Sequence, residues 1–95
     1  MTDLEKAVTV RIVGRVQGVW FRGWTVDQAN RRKVRGWVRN RRDGSVEALF
    51  IGPAAAVDEM VGLCRRGPPE AKVDSIDIAT AADDGSRTFV QAPTD

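Results

Sequence analysis

The chain has 95 residues, 42% hydrophobic and 29% charged, which is a globular balance with room for one small domain. Its single cysteine, Cys64, excludes an internal disulfide, and the absence of histidine excludes a catalytic triad, a histidine base and most zinc sites. The net charge is only +2, yet residues 1–50 carry 11 Lys and Arg against 5 Asp and Glu, whereas residues 51–95 carry 4 against 8. This asymmetry indicates either an anionic partner, most simply phosphate, or a solvated basic face.

No signal peptide, membrane-length apolar stretch or disulfide pattern is present, so we expect a cytoplasmic protein. No repeat, low-complexity tract or linker divides the sequence. We therefore expect a single domain over residues 1–95, with an ordered core of about 6–91 and loose ends. Nothing in the sequence requires more than a monomer.

The first predicted element is a strand, because apolar and polar residues alternate from Lys6 to Val13. Two glycines interrupt this pattern between Gly14 and Trp20, which predicts a loop. A helix follows from Phe21 to about Arg32, and its basic last turn suits the helix dipole.

A hairpin is predicted next. Val34–Asn40 and Val46–Ile51 read as strands, and Asp43-Gly44 between them tolerates the positive φ that tight turns need.

The second helix begins at Gly52-Pro53, because proline suits the first turn, and it ends before Gly67. Two further strands are predicted at Val73–Ala79 and Arg87–Gln91. The helix carries an apolar stripe at helical spacing, which comprises Val57, Met60, Val61 and Cys64.

The predicted order is therefore βαββαββ. It indicates an α+β fold, a ferredoxin-like sandwich with two helices packed on one face of a mostly antiparallel five-stranded sheet. The opposite face of the sheet is left exposed or thinly covered.

The segment from Gly14 to Arg22 is the first candidate for chemistry. It joins a strand to a helix start, where successive backbone N–H groups can form an anion-binding concavity. Arg22, just inside the helix, could grip an anion with its bidentate fork. The glycine spacing matches neither the nucleotide P-loop nor the dinucleotide fingerprint. The alternative is a plain tight turn with a solvated Arg22.

Asn40 is the second candidate, because it stands where a strand gives way to the hairpin turn. A carboxamide donates and accepts at once, so it can hold a water molecule in a fixed orientation. The alternative is that Asn40 caps the turn with its side chain.

Together these segments resemble the acylphosphatase family. The resemblance rests on Gly14-Arg15-Val16-Gln17-Gly18-Val19-Trp20-Phe21-Arg22 and on the hairpin pattern Gly36…Asn40…Gly44-x-Val46…Gly52, and it runs from about Val8 to Phe89. It implies an enzyme that hydrolyses the carboxyl–phosphate bond of acyl phosphates, without metal or cofactor. By the same resemblance, Arg22 binds the phosphate and Asn40 orients the attacking water. The phosphate-binding loop it implies comprises Arg15, Val16, Gln17, Gly18, Val19, Trp20 and Phe21.

The implied partner is a small-molecule acyl phosphate, with no nucleic acid and no membrane. Two alternatives are a domain of the same fold that binds phosphate without turnover, and an RNA-binding sheet. Intact Arg22 and Asn40 count against the first. Thr9 and Arg11 stand where an RNA-binding sheet would stack bases on aromatic side chains, which counts against the second.

Three segments depart from the family pattern. Arg32-Lys33 replaces an apolar residue and glycine at the end of the first helix, which removes the residue best suited to a left-handed cap. The final strand lacks an aromatic or basic ending, and the tail Ala92–Asp95 is expected to be disordered. Among the aromatic residues, Trp20 either borders the acyl side of the pocket or is a rim or core aromatic, whereas Trp24 and Trp37 are assigned to packing.

Overall fold

The computed structural model describes residues 4–95. Two α-helices and five strands follow one another in the predicted order, which confirms the α+β class. The predicted element bounds hold to within two residues. The elements are β1 (Glu5–Arg15), α1 (Phe21–Arg31), β2 (Arg35–Asn40), β3 (Val46–Pro53), α2 (Ala54–Cys64), β4 (Lys72–Thr80) and β5 (Phe89–Gln91).

The five strands form one sheet in the order β4-β1-β3-β2-β5. β1 pairs antiparallel with β3 and β4, and β2 pairs antiparallel with β3. β5 lies parallel to β2, so the mostly antiparallel sheet is mixed. This parallel pair brings the end of β5 beside the end of β2, next to Asn40.

The core lies between one sheet face and the two helices. Alternate residues of β1 and β3 face the helices, and the predicted stripe of α2 packs against them with every member buried. Phe50 of β3 stacks on Phe89 of β5 with their ring centroids 5.7 Å apart, which joins the edge strand to the core.

The opposite sheet face is covered in part by the connection between β4 and β5. Leu49 and Ile51 on this face are only 4% and 1% exposed. Arg35, opposite Ile51 in the register, donates hydrogen bonds to the Asp83 carboxylate and the Ser86 carbonyl. Arg35 thereby holds the connection against the sheet.

α1 ends in a left-handed residue although no glycine is present. Lys33 adopts φ 57°, and the Val34 N–H donates to the Ala29 carbonyl, as in a Schellman ending. The departure from the family pattern at this position therefore leaves the cap geometry in place with a strained lysine.

The tail beyond β5 is hydrogen-bonded, contrary to the expected disorder of Ala92–Asp95. The Ala92 N–H donates to the Val38 carbonyl, and the Asp95 N–H donates to the Asn40 carbonyl. The Arg42 N–H donates in turn to the Asp95 carbonyl. The tail thus continues the parallel pairing along β2, a long-range contact that the local sequence does not encode. The loose end expected at residues 1–3 lies outside the described residues.

Candidate functional site

One cavity opens where the β1–α1 loop, the end of β2 and the end of β5 meet. Its volume is about 220 Å3. Backbone, amide and aromatic groups surround a single charged side chain, that of Arg22. The lining residues are Val16, Gln17, Gly18, Trp20, Phe21, Arg22, Gly23, Asn40 and Gln91.

Most residues of the predicted site line this cavity, and two do not. Arg15 lies at the end of β1 opposite Lys72, with its side chain exposed. Val19 is only 9% exposed and belongs to the core. Sequence reasoning missed Gly23 and Gln91. Gly23 directly follows Arg22 in the first turn of the helix, so its place beside the cavity could have been predicted from the sequence. Gln91 reaches the cavity only through the β2–β5 pairing.

The loop begins at an irregularity in the sheet. The pairing of β1 with β4 shifts register between Val13 and Gly14, and Gly14 has φ 137°. A Cβ at Gly14 would overlap the Lys72 carbonyl oxygen, so only glycine permits this close approach.

Two residues of the loop are left-handed, Gly18 at φ 75° and Trp20 at φ 67°. Val16, which precedes them, is 1% exposed, and Val19, which lies between them, is 9% exposed. Both side chains anchor the loop in the core. Alternation of left-handed with ordinary residues is the backbone geometry that turns N–H groups into an anion-binding concavity.

Gln17 ties the loop to the β2–β3 hairpin. Its side-chain Nε2 donates to the Arg41 carbonyl at 2.8 Å and to the Ser45 carbonyl at 2.9 Å. These carbonyls flank the turn that follows Asn40. The two segments that carry the candidate residues are therefore held together by one amide.

Arg22 lies half-buried in the first turn of α1. Among residues 4–95, no carboxylate lies within ion-pair distance of its guanidinium. By contrast, Arg39 and Arg41 pair with Glu47 at 2.8 and 2.9 Å. The hydrogen bond and charge of Glu47 raise the pKa of Arg41. The arginine in the cavity thus offers its charge there, which favours the phosphate interpretation over a merely solvated residue.

Asn40 ends β2, opposite Val46 of β3. Its Oδ1 is buried and has no hydrogen-bond partner in the described part of the chain. A buried acceptor without a partner is costly, so such atoms are rare in native structures, and a catalytic role is one reason for which they are kept. Asn40 lines the cavity, so its carboxamide is a candidate partner for a water molecule there.

The turn is capped by Asp43 and not by Asn40. The carboxylate of Asp43 accepts hydrogen bonds from the Ser45 hydroxyl at 2.6 Å and the Ser45 N–H at 2.9 Å. These bonds lower the pKa of Asp43, and the nearby Arg11 lowers it further. The capping interpretation of Asn40 is thereby removed.

Cys64 is buried in the α2 stripe, and burial raises the pKa of its thiol to about 12. A thiol in this state is a core residue and no nucleophile. Within residues 4–95 no group of three or more Cys, Asp or Glu side chains is placed to hold a metal ion. In the same span neither helix has the length and hydropathy needed to cross a membrane.

Comparison with known proteins places this chain in a family. The Acylphosphatase family model matches residues 8–91. A curated acylphosphatase of Rhodospirillum rubrum is 53% identical over 89 residues, covering 94% of this chain and 98% of the relative. The chain belongs to the acylphosphatase family.

Solved acylphosphatase structures have the same fold. The enzyme of Bacillus subtilis matches with a TM-score of 0.88 and 36% identity, over 94% of this chain and 99% of that one. The enzyme of Coxiella burnetii matches with a TM-score of 0.89 and 27% identity, over 93% of each chain. Membership over the whole length of such relatives assigns acylphosphatase function, and the protein is a hydrolase.

Proposed function

We propose that this acylphosphatase hydrolyses its substrate with Arg22 and backbone amides binding the phosphate and Asn40 orienting the attacking water. The observation that supports this assignment most is the composition of the cavity wall. Arg22 and Asn40 line the same space of about 220 Å3. The Arg22 guanidinium has no carboxylate partner among residues 4–95, and the buried Asn40 Oδ1 has no hydrogen-bond partner there. The first matches the charge of a phosphate, and the second matches a donor from water.

The loop from Val16 to Phe21 would cradle the phosphate oxygens with its N–H groups, as left-handed residues at Gly18 and Trp20 allow. Val19, whose side chain is in the core, would contribute only its backbone. Arg15 would add positive field outside the cavity.

The chemical step follows from these positions. The oxygen of a water held by Asn40 attacks the phosphorus while the bond between phosphorus and the acyl oxygen breaks. The carboxylate leaves with the bonding electron pair, and the proton of the water passes to a phosphate oxygen or to solvent. A carboxylate is a good leaving group, so positioning and charge stabilisation on the equatorial oxygens supply most of the catalysis. A fixed guanidinium supplies that stabilisation, so the reaction is proposed to need no metal ion or cofactor.

The proposal also covers the domain, the oligomeric state, the location and the kind of substrate. Residues 1–95 act as one domain and as a monomer in the cytoplasm, on a small-molecule acyl phosphate and not on nucleic acid. The pairing of the exposed sheet-face arginines with acids supports the last point. Arg11 pairs with Asp43 and Arg35 with Glu5, so little free positive charge remains on that face.

The test is phosphate release from benzoyl phosphate, with and without EDTA. Arg22→Ala and Asn40→Ala should each lower kcat/KM by about 100- to 1000-fold, the usual loss when a preorganised group is removed. Arg31→Ala and Asn30→Ala make the same chemical changes at exposed positions of α1 and should retain full activity. EDTA should leave wild-type activity unchanged.

Each assignment has a result that contradicts it. Full activity in either site variant would remove that residue from the mechanism, and loss of activity in EDTA would contradict the metal-free reaction. Phosphate binding without hydrolysis by the wild type would favour a regulatory domain, and RNA binding with steep salt dependence would favour the RNA-binding alternative.

A further inference from the structure

We propose that the Trp20 indole is the acyl-binding surface of the site and gives the enzyme a preference for acyl phosphates with a flat aromatic acyl group. This inference rests on the proposed function, since it takes the phosphate to lie against the loop and Arg22. It adds a substrate class, which the family assignment does not specify.

The position of the indole is the first support. Trp20 lines the cavity, yet 63% of its surface is exposed, whereas its loop neighbours Val19 and Phe21 are 9% and 2% exposed. Its side chain therefore lies at the mouth. When the phosphate lies against the loop, the acyl group projects through that mouth and passes the indole.

The indole lies against the start of α1 in an unusual local arrangement. A Cβ at Gly23 would lie only 2.7 Å from Trp20 Cδ1, so the indole rests on the bare helix backbone at a position that only glycine permits. Trp20 is itself left-handed at φ 67° and makes no side-chain capping bond to α1. Left-handed geometry is costly for a bulky residue, and helix capping does not account for it here.

The chemistry of the mouth selects the ligand class. The other apolar side chains that line the cavity, those of Val16 and Phe21, are only 1% and 2% exposed, so the Trp20 indole is its large exposed apolar surface. An aromatic acyl group can stack on that plane, whereas an acetyl group buries little area against it. No carboxylate or second cation lines the cavity within the described residues, so a charged acyl group finds no partner there.

The experiment compares kcat/KM for benzoyl phosphate with kcat/KM for acetyl phosphate, and its readout is the ratio of the two. Trp20→Asn removes the indole with a residue that tolerates left-handed geometry, and the ratio should fall about 2- to 12-fold, the range of one aromatic contact. Trp20→Phe keeps an aromatic plane and should retain most of the preference. Inhibition by inorganic phosphate monitors the loop in every variant.

Gly23→Ala tests the same inference without touching Trp20. The added methyl group displaces the indole while it raises the helix propensity of α1. The variant should therefore lower the benzoyl-to-acetyl ratio without lowering the melting temperature, a combination that a purely structural role would not produce. Trp37→Phe, on the sheet face away from the cavity, is the matched control and should leave the ratio unchanged.

An unchanged ratio in Trp20→Asn would overturn the inference, and so would an equal loss with both substrates, because that would indicate a general defect of the loop. An unchanged ratio in Gly23→Ala would equally contradict the fixed indole position. Hydrolysis of neither substrate by the wild type would instead refute the proposed function, and this inference with it.

Discussion

Replacing Gln17 with leucine should uncouple the phosphate loop from the hairpin that carries Asn40. The change removes two hydrogen bonds, to the carbonyls of Arg41 and Ser45, with little change in side-chain size. Both carbonyls keep a second donor, because the Gly44 N–H bonds the Arg41 oxygen and the Arg41 N–H bonds the Ser45 oxygen. Neither acceptor is therefore left without a partner.

The loss of these two hydrogen bonds sets the expected decrease in stability. Two partly buried hydrogen bonds contribute about 1 kcal/mol each when their acceptors stay satisfied, so the free energy of unfolding should fall by about 2 kcal/mol. For a domain of this size, that loss lowers Tm by about 8–16 °C. Gln17→Glu should be worse, because its carboxylate would face two carbonyl oxygens and lie beside the phosphate site.

Phosphate binding and kcat should respond differently to Gln17→Leu. The loop stays anchored through Val16 and Val19, so binding of inorganic phosphate should change little. Asn40, however, loses its fixed distance from the loop, and a displacement of about 1 Å in a reacting group can cost 100-fold in rate. We therefore expect kcat to fall by about 10- to 100-fold with a nearly unchanged inhibition constant for phosphate.

Thermal unfolding and steady-state kinetics on benzoyl phosphate measure both effects. Gln28→Leu is the matched control. Within residues 4–95 the Gln28 side chain accepts a hydrogen bond only from Arg32, the residue that follows α1, so the change should cost under about 0.5 kcal/mol. Equal Tm values and equal kcat values for the two leucine variants would refute the role of Gln17.

Two further predictions concern stability and are checked by urea unfolding. Lys33→Gly should stabilise the protein by about 1 kcal/mol, because glycine adopts φ 57° without the steric cost that lysine carries, whereas Lys33→Ala should bring no comparable gain; destabilisation by Lys33→Gly would contradict this account of the α1 cap. Asp43→Asn should flatten the acid limb of the stability profile. The pKa of Asp43 is lower in the folded state than its usual 3.8, so its contribution is present above that value and is lost as pH falls through the folded-state pKa below it. An equally steep acid limb in both proteins would count against this contribution.

The order of the helices and strands was predicted correctly because the patterns that specify them are local properties of the sequence. Alternation in β1, the Asp43-Gly44 turn and the stripe of α2 each follow from contacts within a few residues. The loop and the hairpin carry their own turn chemistry, so Arg22 and Asn40 could be chosen before any packing was known. The sequence offered no comparable signal for Gln91, because this residue lies far along the chain from both the loop and the hairpin.

The amino-acid sequence alone determined the order of elements, the family and the two residues expected to carry the chemistry. The tertiary structure decided how these parts meet. It paired β5 parallel with β2, docked Ala92–Asp95 on the hairpin and gave Gln17 its two carbonyl partners. The physical reason is that turns and amphipathic periods are fixed by neighbours in sequence, whereas pairing partners and cavity walls depend on segments up to about fifty residues apart that only the folded core brings together.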